Sequence, residues 1–254
     1  MNLNEYLKRI GFDRELKLDH ETLSELQYKH FLTVPYENLD ILNKIPLSLD
    51  TNELYEKVVV KRRGGYCFEL NALFNRLLNE SGFKTISYFA RFLLDETEIP
   101  MRRHRIMRVD IDGEYYIADV GVGAVVPERS LKLVENEETE IRGAIYKFTK
   151  DPFLGWVLNF KYINKEKDWR KLYSFTEESQ LDVDFIQPNF YCQYHDDSIF
   201  NKKNMIAIRT EAGKYSLDGN IFKVTDLTGK IVEAKEYEST EIPEILKKYF
   251  GLEV

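Results

Sequence analysis

The feature that most constrains the fold is an abrupt change of hydrophobic period at Lys84. Before it, apolar residues recur at helical spacing; after it, they come in short β-branched and aromatic runs. Asn4 can cap a short first helix that Gly11 ends, because glycine takes the left-handed conformation of a helix terminus. Leu23, Leu26, His30 and Phe31 share a face of a second helix, which Pro35 stops through its restriction on Val34. A further helix is predicted from about Asn52 to Val60. The clearest one follows Cys67. There Leu70, Leu73, Phe74, Leu77 and Leu78 keep the i, i+3, i+4, i+7, i+8 pattern of a buried face, and Gly82 ends it.

Beyond Lys84, "KTISYFARFLL", "HRIMRVDI", "EYYIADV", "GAIYKFTK", "WVLNFKYI" and "NFYCQYH" read as strands. "MIAIRTE", "KYSLDG", "IFKVTDL" and "KIVEAKEY" continue the series. A closing amphipathic helix carries Ile242, Ile245, Leu246 and Phe250. Helices first and antiparallel strands afterwards predict an α+β fold rather than alternating βαβ units. No linker separates the parts, so interlocked subdomains are expected.

Composition narrows the function. A net charge of -7 with no face dominated by Lys and Arg argues against general nucleic-acid affinity. The cluster Arg102, Arg103, Arg105 and Arg108 reads as a strand with alternating charges in water. Two cysteines, Cys67 and Cys192, form no disulfide framework, and no metal-ligand spacing such as C-x-x-C occurs. There is no signal peptide at the start and no apolar run of membrane-spanning length, so a cytoplasmic protein with reduced thiols and no membrane partner is expected.

Chemistry centres on Cys67. It sits at a helix start, where the positive end of the macrodipole favours a thiolate, and Gly64 and Gly65 let the chain turn sharply beside it. A buried structural thiol is the competing reading. A nucleophile needs a base, and of the four histidines His104 stands out. "HRIMRVDIDGEYYIADV" holds Asp112-Gly113, a strong hairpin signal, between two alternating runs. With that dipeptide as the turn, Ile111 faces Glu114 and His104 extrapolates to a place opposite Gly121. His104 and Asp119 then share a face, at a diagonal separation of roughly 7–8 Å between Cα atoms. Cys67 as nucleophile, His104 as base and Asp119 as the carboxylate that orients the imidazole would form a triad. The alternative is a polar His104 on an Arg-rich strand and an Asp119 paired with one of those arginines. The residues alone leave both readings open, because nothing in the spacing brings Cys67 to His104. Cys192, in an aromatic run with no glycine turn or helix start, reads as a buried, inert thiol.

The motifs resemble those of the arylamine N-acetyltransferase family. "YLKRIGF" is similar to its opening helix, and "VPYENLD" to its V-P-F-E-N-L segment. "RGGYCFELN" resembles the R-G-G-x-C-x-E-x-N signature around the nucleophile, "HRIMRV" and "ADVGVG" the segments with its histidine and aspartate, and "NFYCQYHDDSIF" a later segment. The resemblance implies an N-terminal helical bundle (1–83), a middle antiparallel β-barrel-like subdomain (84–195) and a C-terminal α/β lid (196–254). It also implies that Cys67, His104 and Asp119 meet as a triad, and that Arg63 pairs with Glu37 near the site.

The implied reaction moves an acetyl group from acetyl-CoA, with no permanently bound cofactor, to an arylamine or arylhydrazine through an acetyl-cysteine. Tyr36 and Val122 would line the acceptor pocket, and Gly121, Gly123 and Ala124 would approach CoA. Three positions depart from the family pattern: Val122 and Tyr36 each stand where Phe is frequent, and Ala124 where many bacterial members have glycine. These departures bear on acceptor choice. A Cys-His-Asp amide synthase or hydrolase is the rival enzyme, and a non-catalytic ligand-binding protein the rival from another class.

Overall fold

The structure, a computed structural model, describes residues 1–123, 125–163 and 168–253. Five helices come first: α1 (Leu3–Ile10), α2 (His20–Thr33), α3 (Leu39–Leu42), α4 (Thr51–Tyr55), extended by a π-helical turn Glu56–Val60, and α5 (Cys67–Glu80). The cap of α1 is Asn2, whose side chain accepts from the Glu5 N–H at 3.3 Å; the expected cap, Asn4, lies inside the helix. Gly11 ends α1 in the left-handed conformation, and Val34 is extended before Pro35, as their chemistry requires.

Eight strands follow: β1 (Lys84–Phe92), β2 (His104–Ile111), β3 (Glu114–Ala118), β4 (Leu131–Lys132), β5 (Thr139–Ile141), β6 (Ala144–Asp151), β7 (Gly155–Tyr162) and β8 (Arg170–Gln180). They form one antiparallel sheet in the order β4-β3-β2-β1-β8-β7-β6-β5. Its ends approach each other: Glu135, just past β4, bridges Phe148 of β6, and the Asn136 N–H donates to the Phe148 carbonyl at 2.8 Å. The sheet is therefore barrel-like and nearly closed.

The Asp112-Gly113 hairpin is present, with Ile111 opposite Glu114 and positive φ at both turn residues. Its ladder stops at Met107–Ala118, short of the extrapolated His104–Gly121 pair. The chain leaves the sheet after Ala118 instead.

"NFYCQYH" corrects the sequence reading. It lies in α6 (Ile186–Tyr194), not in a strand. A second sheet, β12-β11-β10-β9, is built from β9 (Met205–Thr210), β10 (Gly213–Asp218), β11 (Ile221–Asp226) and β12 (Ile231–Glu236). The final α7 (Ile242–Ile245) and its π-helical continuation Leu246–Phe250 pack Ile242, Ile245, Leu246 and Phe250 against Leu217 and Phe222 of this sheet. Among the described residues no helix is long and apolar enough to cross a membrane.

Two features lock these parts together. The periodic face of α5 shares one core with Met107, Val109 and Ile111 of β2. Tyr36 is stitched on both sides, exchanging hydrogen bonds with Ala207 of β9 at 2.8 and 2.9 Å and forming a parallel bridge to Gly65. Gly64 permits this crossing, because a Cβ there would stand 2.0 Å from the Pro35 carbonyl oxygen.

Candidate active site

Cys67 is the first residue of α5 and is buried. Its helix start is held from below by charge. Glu69 accepts the Tyr66 N–H at 3.1 Å and receives Lys57 Nζ at 2.7 Å. Lys57 also reaches Asp40 at 2.6 Å, and Arg63 binds both Glu37 and Asp40, at 2.8 and 2.9 Å. The Arg63–Glu37 pair is thus present, inside a larger network of two cations and three carboxylates around the glycine turn. Burial alone would discharge Lys57, but Glu69, Glu37 and Asp40 outweigh it and hold the ammonium charged. Lys57 had no signal in the sequence beyond a charge on a helix.

His104 opens β2, pairs with Ala90 of β1 and is 4% exposed. Its Nε2 lies 2.7 Å from Asp119 Oδ2. Asp119, 2% exposed, follows the end of β3, and its other oxygen accepts from Asn71 Nδ2 at 2.8 Å and from the Gly121 N–H at 2.9 Å. His104 and Asp119 are thus in contact, as the shared face predicts. The turn after Ala118, rather than a longer ladder, closes the gap.

Asn71 is a positioning residue whose role the spacing of the motifs does not reveal. It stands one turn after Cys67 on α5 and donates to both Asp119 and the Arg105 carbonyl, the latter at 2.6 Å. It also accepts the Val120 N–H at 2.9 Å. The available clue was an amide on an otherwise apolar helix face.

The sulfur of Cys67 faces the Arg103 carbonyl at 3.8 Å, one residue before His104. Gly121 packs directly against Cys67, where an added Cβ would lie 2.7 Å from its Cα. Cys67, His104, Gly121, Val122, Gly123 and Tyr36 all line one cavity of about 640 Å³, within the usual size of a small-molecule site. Ala124, also expected near CoA, lies outside the described residues.

Burial works against the pull of the helix start on the sulfur. Burial pushes the Cys67 thiol up, the nearby Cys192 and Asp119 add to this, and the Phe68 N–H at the helix start offsets it only in part. Cys192 is fully buried, with burial raising its thiol to about 12. Tyr36 is likewise held as a neutral phenol by burial.

The arrangement offers a thiol, an imidazole whose far nitrogen is anchored on a buried carboxylate, and space for a substrate. A family model described as N-acetyltransferase matches residues 19–254. The chain is 32% identical to an arylamine N-acetyltransferase of Escherichia coli, over 99% of this chain and 89% of that protein. A bovine arylamine N-acetyltransferase 1 is 30% identical over 99% of this chain and 94% of its own length. Among solved structures, the Salmonella typhimurium arylamine N-acetyltransferase superposes with a TM-score of 0.92 at 30% identity, covering 98% of this chain and 90% of that one. The Mycobacterium marinum arylamine N-acetyltransferase in complex with CoA superposes with a TM-score of 0.90 at 26% identity, covering 98% and 92%.

Proposed function

The chain belongs to the arylamine N-acetyltransferase family, acetyl-CoA-dependent acyltransferases, and from that premise we propose that it acetylates arylamines or arylhydrazines in two steps through an acetyl-Cys67. The observation that carries the reading is the His104–Asp119 contact of 2.7 Å, in the same cavity as a thiol that faces the residue before His104.

In the first step His104 takes the Cys67 proton as the sulfur attacks the thioester carbonyl of acetyl-CoA. Asp119 stabilises the resulting imidazolium and holds its tautomer. The backbone N–H of Cys67 is our candidate donor to the tetrahedral oxyanion. Collapse breaks the carbon–sulfur bond to CoA, which leaves with the proton from His104. In the second step the amine attacks the acetyl-cysteine, His104 removes the amine proton, and collapse returns the cysteine and the N-acetyl product.

Tyr36 and Val122 form the acceptor wall in this proposal, and Gly121 and Gly123 the edge along which CoA approaches. We divide the labour as 1–83 for the nucleophile, 84–195 for His104 and Asp119, and 196–254 as the lid. A free catalytic thiol suits a reducing cytoplasm.

Intact-mass spectrometry after mixing with acetyl-CoA, without amine, tests the reading. One acetyl group is expected on the protein, absent from Cys67→Ala and discharged by an added arylamine. A folded protein that takes no acetyl group overturns it.

A further inference from the structure

The four-stranded sheet has two edges, and only one is covered. β9 exchanges hydrogen bonds with Tyr36 through Ala207, whereas β12 has β11 on one side and no strand on the other. All six residues of β12 are exposed, Ile231 and Val232 by more than half. The end strands of the larger sheet, β4 and β5, are two and three residues long, so β12 is the longest open edge among the described residues. A row of unpaired backbone groups of this length is a template for another strand.

The outward groups can be named. The Tyr237 N–H donates to the Asn220 carbonyl at 3.0 Å, next to the Ile221–Glu236 pair. Bonding direction alternates along an antiparallel strand, so Lys235 and Glu233 bond toward β11, while Ala234 and Glu236 turn N–H and C=O outward. A shift in register at Val224 then ends the regular run. Side chains decide which strand fits. Lysine on an edge normally repels a newcomer. Here Glu233 stands two residues before Lys235, and among the described residues neither has an ion-pair partner; Lys235 Nζ lies over the Tyr237 ring at 4.2 Å. A strand that sets Lys opposite Glu233 and Glu opposite Lys235 is β12 itself, run antiparallel. Centring the two-fold axis on Glu233 or on Lys235 would face like charges across it, where side chains come closest. Centring it on Ala234 pairs Glu233 with Lys235 of the copy twice and leaves only methyl groups at the axis.

We propose that β12 pairs antiparallel with β12 of a second copy, with Ala234 on the two-fold axis, joining the two four-stranded sheets into one of eight strands. Ala234 then exchanges two backbone hydrogen bonds with its counterpart, between two Glu233–Lys235 pairs. An interface of one short strand is small, so the dimer is weak, with a Kd on the order of 10–100 μM.

Sedimentation equilibrium of the full chain from about 1 to about 500 μM tests it, and the mass should double across that range. Glu233→Lys or Lys235→Glu alone puts like charges opposite each other in both pairs and should weaken the dimer about 10-fold or more, and the two together should restore it. Ala234→Cys under mild oxidation should give a disulfide-linked dimer, since residues exchanging hydrogen bonds in such a pair have Cα atoms ~5.5 Å apart. A monomer at every concentration overturns the proposal and leaves the edge to a strand of another protein. A dimer indifferent to both single substitutions also overturns it, and moves the interface to another surface such as the exposed Ile186, Phe190 and Tyr194 side of α6. Failure of the double swap to restore the dimer, in a chain with wild-type circular dichroism, refutes the register and the proposal with it.

Discussion

Gly121→Ala is the sharpest test of how the site is assembled. An added Cβ would stand 2.7 Å from Cys67 Cα, 3.0 Å from its carbonyl oxygen and 2.5 Å from Asn71 Nδ2. Backbone atoms of a helix start cannot rotate aside. At 2.7 Å the new carbon would sit roughly 0.7 Å inside ordinary packing distance, and a misplacement near 1 Å at a reacting centre costs on the order of 100-fold in rate. Acetylation of Cys67 by acetyl-CoA should therefore slow about 30- to 100-fold, or ~2–3 kcal/mol of transition-state stabilisation. The Asn71–Asp119 bond would also be disturbed, with a stability loss of about 1–3 kcal/mol. Rapid-quench mass spectrometry reads the first number and a denaturant titration the second. Gly123→Ala is the comparison, since its Cβ would press on the Tyr36 ring at 2.9 Å and touch neither Cys67 nor Asn71, so it should slow both steps less than Gly121→Ala slows acetylation. A Gly121→Ala protein that is acetylated within twofold of the wild-type rate would refute the claim that this close approach sets the nucleophile.

Three further outcomes are expected. In Asp119→Asn, the Asn71 and Gly121 donors hold the amide oxygen, so the amide nitrogen must face His104 Nε2, push the ring proton to the other nitrogen and remove the base; acetylation should fall by roughly 10³-fold, as when a serine triad is given the wrong tautomer, and a fall below tenfold would contradict it. His30 is fully buried beside Tyr6, and burial, with Arg9, lowers it to about 3. It stays neutral in the folded state while the unfolded chain protonates from about 6.5 downward, so between pH 6.5 and 5 it should remove about 2 kcal/mol of stability, a loss that His30→Asn would not show in urea titrations across that range. Arg63→Met should destabilise by about 3 kcal/mol, because it strands the Glu37 carboxylate, whose side chain has no exposure; an unchanged urea midpoint would mean that Lys57 compensates.

Local chemistry was legible where the decisive partners are close in sequence. The hairpin follows from two turn residues, and the end of α2 from a proline two residues past it. The α6 segment failed for a physical reason. Its aromatic residues have the composition of a strand, yet Ile186, Phe190 and Tyr194 lie on the exposed side at helical spacing, while Asn189 and Cys192 are buried. Tertiary packing overrode β-propensity there. Asn4 failed more simply, because two asparagines lie two residues apart and either can cap.

What spacing alone could not supply was how the start of α5 is set beside β2, and two contacts show it. Cys67 meets the Arg103 carbonyl, and Asn71, four residues later, meets the Arg105 carbonyl, two residues later. Four helical residues rise about 6 Å and two strand residues about 6.6 Å, so α5 and β2 advance in step along the same direction. The apolar face of α5 would bury equally well on a strand running either way. Asn71 removes that freedom, since in the opposite orientation its fully buried amide would lose the Arg105 carbonyl and Asp119 together. The same side chain thus ties helix direction, strand register and the carboxylate that contacts His104 into one packing arrangement, with Cys67 facing the residue before His104.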